Sequence, residues 1–193
     1  MKERFSKLTA VACLLICVAS ASVAQSESTY KELPNFHQVN EQLYRGAQPK
    51  PGGFGRLAQL GIKTVVNLRA DDRRAQAEEH DARAAGLIYF NLPLERLGKP
   101  TDGQVERVLS IINAPENQPV FVHCKRGADR SGTIIAIYRI KHNGWTSERA
   151  KAEANRYGMA LWQLGMKDYI RDYYRRRLLH AAITVVLTSR AAR

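Results

Sequence analysis

Cys124, Arg130 and Ser131 stand within the run His123-Cys124-Lys125-Arg126-Gly127-Ala128-Asp129-Arg130-Ser131, and their types and spacing suit attack on a phosphate ester. Cys124 is a nucleophile only as a thiolate, and a helix amino terminus with nearby cations favours that form. A loop curled round its own amides points the N–H groups of residues 125–130 at one centre and makes an anion nest. Gly127 supplies backbone angles that a side chain forbids. Arg130 offers a planar fork for two phosphoryl oxygens and gathers charge in the transition state. The Ser131 hydroxyl is placed to stabilise the departing thiolate when water cleaves a phosphocysteine. His123, Lys125, Arg126, Gly127 and Ala128 complete the candidate phosphate-binding set, with Lys125 and Arg126 as a cationic rim. The chemistry needs no metal and no other cofactor.

The elements that must hold this loop lie on either side of it. Pro119-Val120-Phe121-Val122 reads as a short buried strand and Gly132-Thr133-Ile134-Ile135-Ala136-Ile137-Tyr138 as a buried helix. The loop therefore joins a strand's carboxyl end to a helix's amino end, where α/β folds bind anions. Further strands are expected at residues 42–45, 63–68 and 87–92. Helices are expected at 51–60, 71–85, 101–114, 131–143, 146–157 and 161–177. Gly61, Gly86 and Gly144 mark helix ends, and Thr101 with Gln104 has capping-box spacing. This alternation predicts an α/β domain with a largely parallel central sheet flanked by helices on both faces.

The run from His123 to Ser131 resembles the signature of cysteine-dependent protein tyrosine and dual-specificity phosphatases: His-Cys, five residues, then Arg-Ser/Thr. His123, Cys124, Gly127, Arg130 and Ser131 all match it. Average composition gives the four flanking matches about once in 10⁵ cysteines, which disfavours chance. The likeness runs from Leu43-Tyr44-Arg45-Gly46-Ala47-Gln48-Pro49 to about Tyr174 and looks greatest toward the atypical dual-specificity phosphatases of plants, fungi and bacteria. It implies the same architecture and an aspartate general acid on the loop before the helix at 101. That loop holds two acids here, Glu95 and Asp102. Asp102 is the first candidate, although an acid in a first helical turn also suits the helix dipole. Asp129 is the second; an aspartate there is similar to that of lipid-directed phosphatases of the myotubularin and secreted bacterial types, and it also suits a salt bridge orienting Arg130. Glu95 is the third, or a surface partner of Arg96.

The expected substrates are proteins carrying phosphotyrosine, phosphoserine or phosphothreonine. Phosphoinositides or inositol phosphates are the alternative that the cationic rim favours. Arg45 and Arg69 either add to that rim or pair with acids as structural arginines. A catalytically silent phosphate-binding module and a rhodanese-like sulfurtransferase are the rival classes, and the Arg-Ser spacing favours phosphate over the second.

At 193 residues with 45% hydrophobic side chains, the chain has room for one domain with a real core. The expected organisation is a signal peptide at 1–24, a linker at 25–41, a phosphatase domain at 42–177 and a basic, apolar tail at 178–193. Lys2, Arg4 and Lys7 precede an apolar stretch at 8–20, and Ser22-Val23-Ala24 offers small residues for cleavage. Export places the protein in the periplasm or outside the cell; Ile16 before Cys17 and the short run before Cys13 disfavour a lipoprotein. Export also removes Cys13 and Cys17, leaving Cys124 without an intrachain disulfide partner.

The net charge is +12, and removal of residues 1–24 takes away three cations and one anion to leave +10. Much of the excess sits in Arg171, Arg175, Arg176, Arg177, Arg190 and Arg193. No nucleic-acid motif accompanies it, so nucleic acid is not an expected partner. Residues 178–187 are mostly apolar and too few to span a bilayer; they either pack on the domain as a last helix or lie on an anionic membrane surface. His37, His80, His142 and His180 are scattered and suggest no metal site. The chain is expected to act as a monomer.

Overall fold

The computed structural model describes residues 30–191. The expected signal peptide and the first residues of the expected linker lie outside them. In chain order the elements are β1 (His37–Asn40), β2 (Leu43–Ala47), α1 (Gly53–Gln59), β3 (Thr64–Asn67), α2 (Arg73–Ala84) and β4 (Ile88–Asn91). Then come α3 (Asp102–Asn113), β5 (Val120–Cys124), α4 (Asp129–Asn143), α5 (Ser147–Arg156) and α6 (Leu164–Ala191).

One sheet of order β1-β2-β5-β3-β4 forms, parallel except for the β1–β2 pair. Period-two alternation sorts its side chains between two cores. Val120 and Val122 of β5 pack with Val66, Val105, Ile134 and Ile170 beneath α3, α4 and α6. Phe121, between them in sequence, packs with Leu57, Val65 and Ala82 beneath α1 and α2. β5 is thus covered on both faces, and its carboxyl end is fixed from both sides: Ala47 is in register with Cys124, and Asn67 with His123. Residues Ser131 to Ile137 of α4 are all buried, as expected of a helix enclosed by other elements rather than lying at a surface.

Three expectations need correction. Residues 30–41 belong to the domain rather than to a linker: Leu33 is fully buried in the second core and β1 pairs with β2. α4 starts at Asp129, two residues before the expected helix, so the signature's last three residues are its first turn. The boundary expected at 177/178 does not exist, because α6 continues to Ala191 with no glycine or proline after Gly165 to stop it. Met166, Tyr169 and Ile170 pack its first half on the core, whereas Leu178, Leu179, Ile183 and Leu187 are exposed. Those apolar residues therefore do not pack on the domain. No described helix is long and apolar enough to cross a membrane.

Candidate active site

Cys124 ends β5 with its thiol buried, and the loop after it is held from behind. The Lys125 carbonyl accepts from the Gln48 N–H at 3.5 Å, the Arg126 carbonyl from Asn35 Nδ2 at 2.9 Å, and the Gly127 carbonyl from Arg45 Nη2 at 2.6 Å. A trans peptide points its N–H opposite its carbonyl. Three carbonyls tied outward in succession therefore turn the N–H groups of Arg126, Gly127 and Ala128 toward the sulfur side. Gly127 has φ +69°, and a Cβ there would stand 2.3 Å from the Gly46 carbonyl carbon, so the loop lies directly on the β2 backbone. Those three amides, out of the six expected at 125–130, are the part of an anion nest that these contacts orient.

The thiol answers to this environment. Burial pushes the Cys124 thiol up. Hydrogen bonds from the Ser131 hydroxyl and N–H, the Arg130 charge and the Arg126 N–H outweigh burial and hold it below the ordinary cysteine range. Ser131 is fully buried, and its hydroxyl favours the thiolate form of Cys124.

Above the sulfur opens a cavity of about 320 Å³ lined by Lys125, Arg126, Asp129 and Arg130 of the loop and by Arg96, Leu97, Trp162 and Gln163. Arg130 is steadied by donating from Nη1 to the Leu68 carbonyl at 3.1 Å. Asp129 Oδ2 lies 2.6 Å from Arg126 Nη2, and its Oδ1 accepts from the Ala160 N–H at 2.9 Å. A larger groove of about 590 Å³ between the turn at 48–55 and α2 has no cysteine, serine, threonine or histidine in its walls.

The other expected site residues fall elsewhere. Asp102, first residue of α3, accepts from the Tyr169 hydroxyl at 2.6 Å and from Arg176 Nη2 at 2.8 Å. It lines a separate recess with Glu106, Lys141 and Tyr173, and not the cavity above Cys124. Glu95 is exposed and also outside that cavity. His123 is fully buried and does not line the cavity; its Nε2 lies 2.6 Å from Glu78 Oε1. Ala128 is buried at the amino end of α4. Arg45 is beneath the loop rather than at its rim, with its guanidinium 4.6 Å over the Tyr157 ring. Burial lowers its pKa to about 10, against the opposing charges of Glu153 and Cys124, so it stays cationic at neutral pH. Arg69 donates to Gln48 Oε1, and Gln48 Nε2 donates in turn to Glu78 at 3.0 Å. Among the described residues no group of three His, Cys, Asp or Glu side chains converges as a metal site.

A family model described as a DSP-PTPase phosphatase fused to NAD+ kinase matches residues 13–172, most of the chain. The chain belongs to the dual-specificity cysteine phosphatase family. It is 34% identical over 139 residues to the dual specificity protein phosphatase TpbA of Pseudomonas aeruginosa, an alignment covering 72% of this chain and 59% of that protein. The chain thus spans little more than half the length of that relative. The crystal structure of P. aeruginosa TpbA superposes with a TM-score of 0.63 at 29% identity, covering 76% of this chain and 91% of that one. The inositol diphosphatase DSP4 of Arabidopsis thaliana is 24% identical, covering 88% of this chain and 91% of its own.

Within this phosphatase domain, the residues that sequence reasoning missed are those behind the loop: Asn35, Gln48 and Glu78. Asn35 stood in a presumed linker. Glu78 is one of several acids in what read as a surface helix, yet it is 4% exposed. No local pattern separates it from Glu79, which is half-buried and pairs with Arg83 across one helical turn.

Proposed function

We propose that this chain is an exported phosphatase that hydrolyses phosphate monoesters through a phosphocysteine at Cys124. The observation that carries the reading is a buried thiol at the end of β5 that opens on a cavity lined by Lys125, Arg126 and Arg130, with the Ser131 and Arg126 N–H groups acting on it. In the first step the thiolate attacks phosphorus. A P–S bond forms, the P–O bond to the alcohol or phenol breaks, and that oxygen leaves with a proton from Asp129. Arg130 and the loop N–H groups hold the three equatorial oxygens. In the second step Asp129 takes a proton from water as the water oxygen attacks phosphorus. The P–S bond breaks, and the thiolate returns to the hydrogen bond of Ser131.

Asp129 takes this role in preference to Asp102 because it alone of the three candidate acids lines the cavity, whereas Asp102 is engaged by Tyr169 and Arg176. Its Oδ2 is released when Arg126 turns from it onto the substrate phosphate. Phosphotyrosine, phosphoserine or phosphothreonine in proteins are the leading substrates, supported by the protein phosphatase relative. The exposed rim cations Lys125 and Arg126 favour a second reading, inositol phosphates or phosphoinositides.

Phosphate release from a panel of phosphotyrosine, phosphothreonine, inositol phosphate and phosphoinositide tests the reading. Turnover is expected in the wild type, blocked by vanadate and abolished in Cys124→Ser. Thiocyanate production from thiosulfate and cyanide, without phosphate release, would instead mark a sulfurtransferase. For export, a reporter active only outside the cytoplasm is expected to work when fused after residue 41; an inactive fusion contradicts it.

A further inference from the structure

The carboxyl half of α6 presents its apolar side chains to solvent rather than to the core. Met166, Tyr169 and Ile170 hold the first half in the core. Arg176 Nη2 on Asp102 at 2.8 Å and Arg177 Nη1 on the Lys141 carbonyl at 2.7 Å tie down the middle. Beyond these ties Leu178, Leu179, Ile183 and Leu187 are 52%, 63%, 55% and 60% exposed. Positions four apart share a helix face, so Leu179, Ile183 and Leu187 form one ridge, with Arg175 a turn before it. Beside the ridge runs a polar row of His180, Thr184 and Thr188. Both threonine hydroxyls donate back to the carbonyl four residues earlier, at 2.9 and 3.0 Å, and so demand little of what lies outside the helix. Apolar residues grouped in this way differ from the single ones scattered over an ordinary surface.

The charge around the ridge has one sign. From Tyr173 to Arg193 the sequence holds five arginines and no aspartate or glutamate. Earlier in α6 acids answer the cations: Arg171 lies 2.8 Å from Asp168. Arg175 and Arg177 are exposed, and neither pairs with a carboxylate among the described residues.

We propose that this face of α6 docks the protein on an anionic lipid surface, the ridge entering the acyl boundary and the arginines lying among the headgroups. Lipid fits the face better than a protein does. The ridge is aliphatic, and the sequence has no Trp, Tyr or Phe after Tyr174 to supply the aromatic anchors that protein interfaces favour. A second copy would set arginine against arginine whichever way the two helices ran, because the segment has no acid at either end. An acyl phase takes aliphatic side chains without a matching pocket, and anionic headgroups supply the missing countercharge. The docking face also stands apart from the chemistry. Gln163 of the cavity wall directly precedes α6, and Leu187 lies about 35 Å along the helix from its first residue. The proposal therefore concerns where the protein is held and not what it hydrolyses, and it does not depend on the phosphatase reading.

The test is sedimentation of the full chain with vesicles of phosphatidylcholine alone and of phosphatidylcholine mixed with phosphatidylglycerol. Affinity for the anionic vesicles is expected to exceed that for neutral ones at least about 10-fold, and to fall as salt is raised. Leu179→Ser combined with Ile183→Ser is expected to weaken anionic binding roughly 10-fold or more, and Arg175→Gln about 5-fold. Thermal midpoints and p-nitrophenyl phosphate turnover in solution should stay at wild-type values in both variants, which separates lost docking from misfolding. The apolar stretch at 8–20 is common to every protein compared, so the differences read on α6. Equal affinity for neutral and anionic vesicles, binding to neither, or wild-type binding by the double serine variant overturns the proposal. A dimer in solution that the double serine variant returns to monomer assigns the face to a second copy and overturns it too. A wild type that binds anionic vesicles as expected but releases no phosphate upholds this inference and overturns the phosphatase reading alone.

Discussion

The Ser131 hydroxyl touches the reaction only through the Cys124 sulfur, so its loss reads directly on the thiolate. A hydrogen bond to the charged form lowers a thiol's pKa; removing it raises that pKa and shrinks the thiolate fraction at neutral pH. Ser131→Ala is therefore expected to move the pH profile of iodoacetamide alkylation of Cys124 to higher pH, and an unmoved profile would contradict the assignment. The acids give a second contrast at this scale. Asp129→Asn is expected to slow phosphocysteine formation from alkyl phosphates by about 10²-fold or more and from p-nitrophenyl phosphate far less, because a good leaving group needs little protonation. Asp102→Asn is expected to keep turnover on both, since Asp102 lies outside the cavity. The reverse ranking would return the acid role to Asp102. The sequence located the thiol, fork and hydroxyl because their spacing is local. It left the acid open because Glu95 and Asp102 stand on the loop before α3 while Asp129 stands inside the signature, and only the fold shows which of them lines the cavity.

At the scale of elements, the loop is shaped by what stands behind it. Gly127 sits on the Gly46–Ala47 backbone with positive φ, so Gly127→Ala meets both a forbidden region and a collision. The expected cost is about 2–4 kcal/mol of stability by denaturant unfolding, with phosphate release lost. A variant of wild-type stability and activity would mean that the loop is not pinned there. β5, the loop and α4 were legible because a buried strand, a glycine-bearing turn and an apolar helix each have a local pattern. Thr101 and Gln104 form the capping box their spacing suggests. β1 was not legible: His37-Gln38-Val39-Asn40 lacks apolar alternation and is exposed or half-buried as an antiparallel edge. Asn35 was misread, and Arg45 was left between rim and structural roles, for a related reason. Their partners lie 91 and 82 residues away, and no window of sequence contains both ends.

In the molecule as a whole, strand order explains why residues 30–47 matter to chemistry at residues 124–131. β2 lies beside β5, so the segment before it supplies Asn35, Arg45 and Gln48 to the back of the loop. The parallel sheet covered on both faces was predictable from alternating strands and helices. The order β1-β2-β5-β3-β4 was not, since it depends on which edges pair. The length of α6 was misjudged because the boundary followed composition rather than a helix-stopping residue. All these elements converge on a single thiol, and one measurement addresses its role most directly: acid quenching of Asp129→Asn during turnover of p-nitrophenyl phosphate, followed by mass spectrometry of the peptide that contains Cys124. One phosphoryl group on Cys124 is expected in that variant and none in Cys124→Ser. Sustained phosphate release with no phosphocysteine, or release that persists in Cys124→Ser, would contradict it.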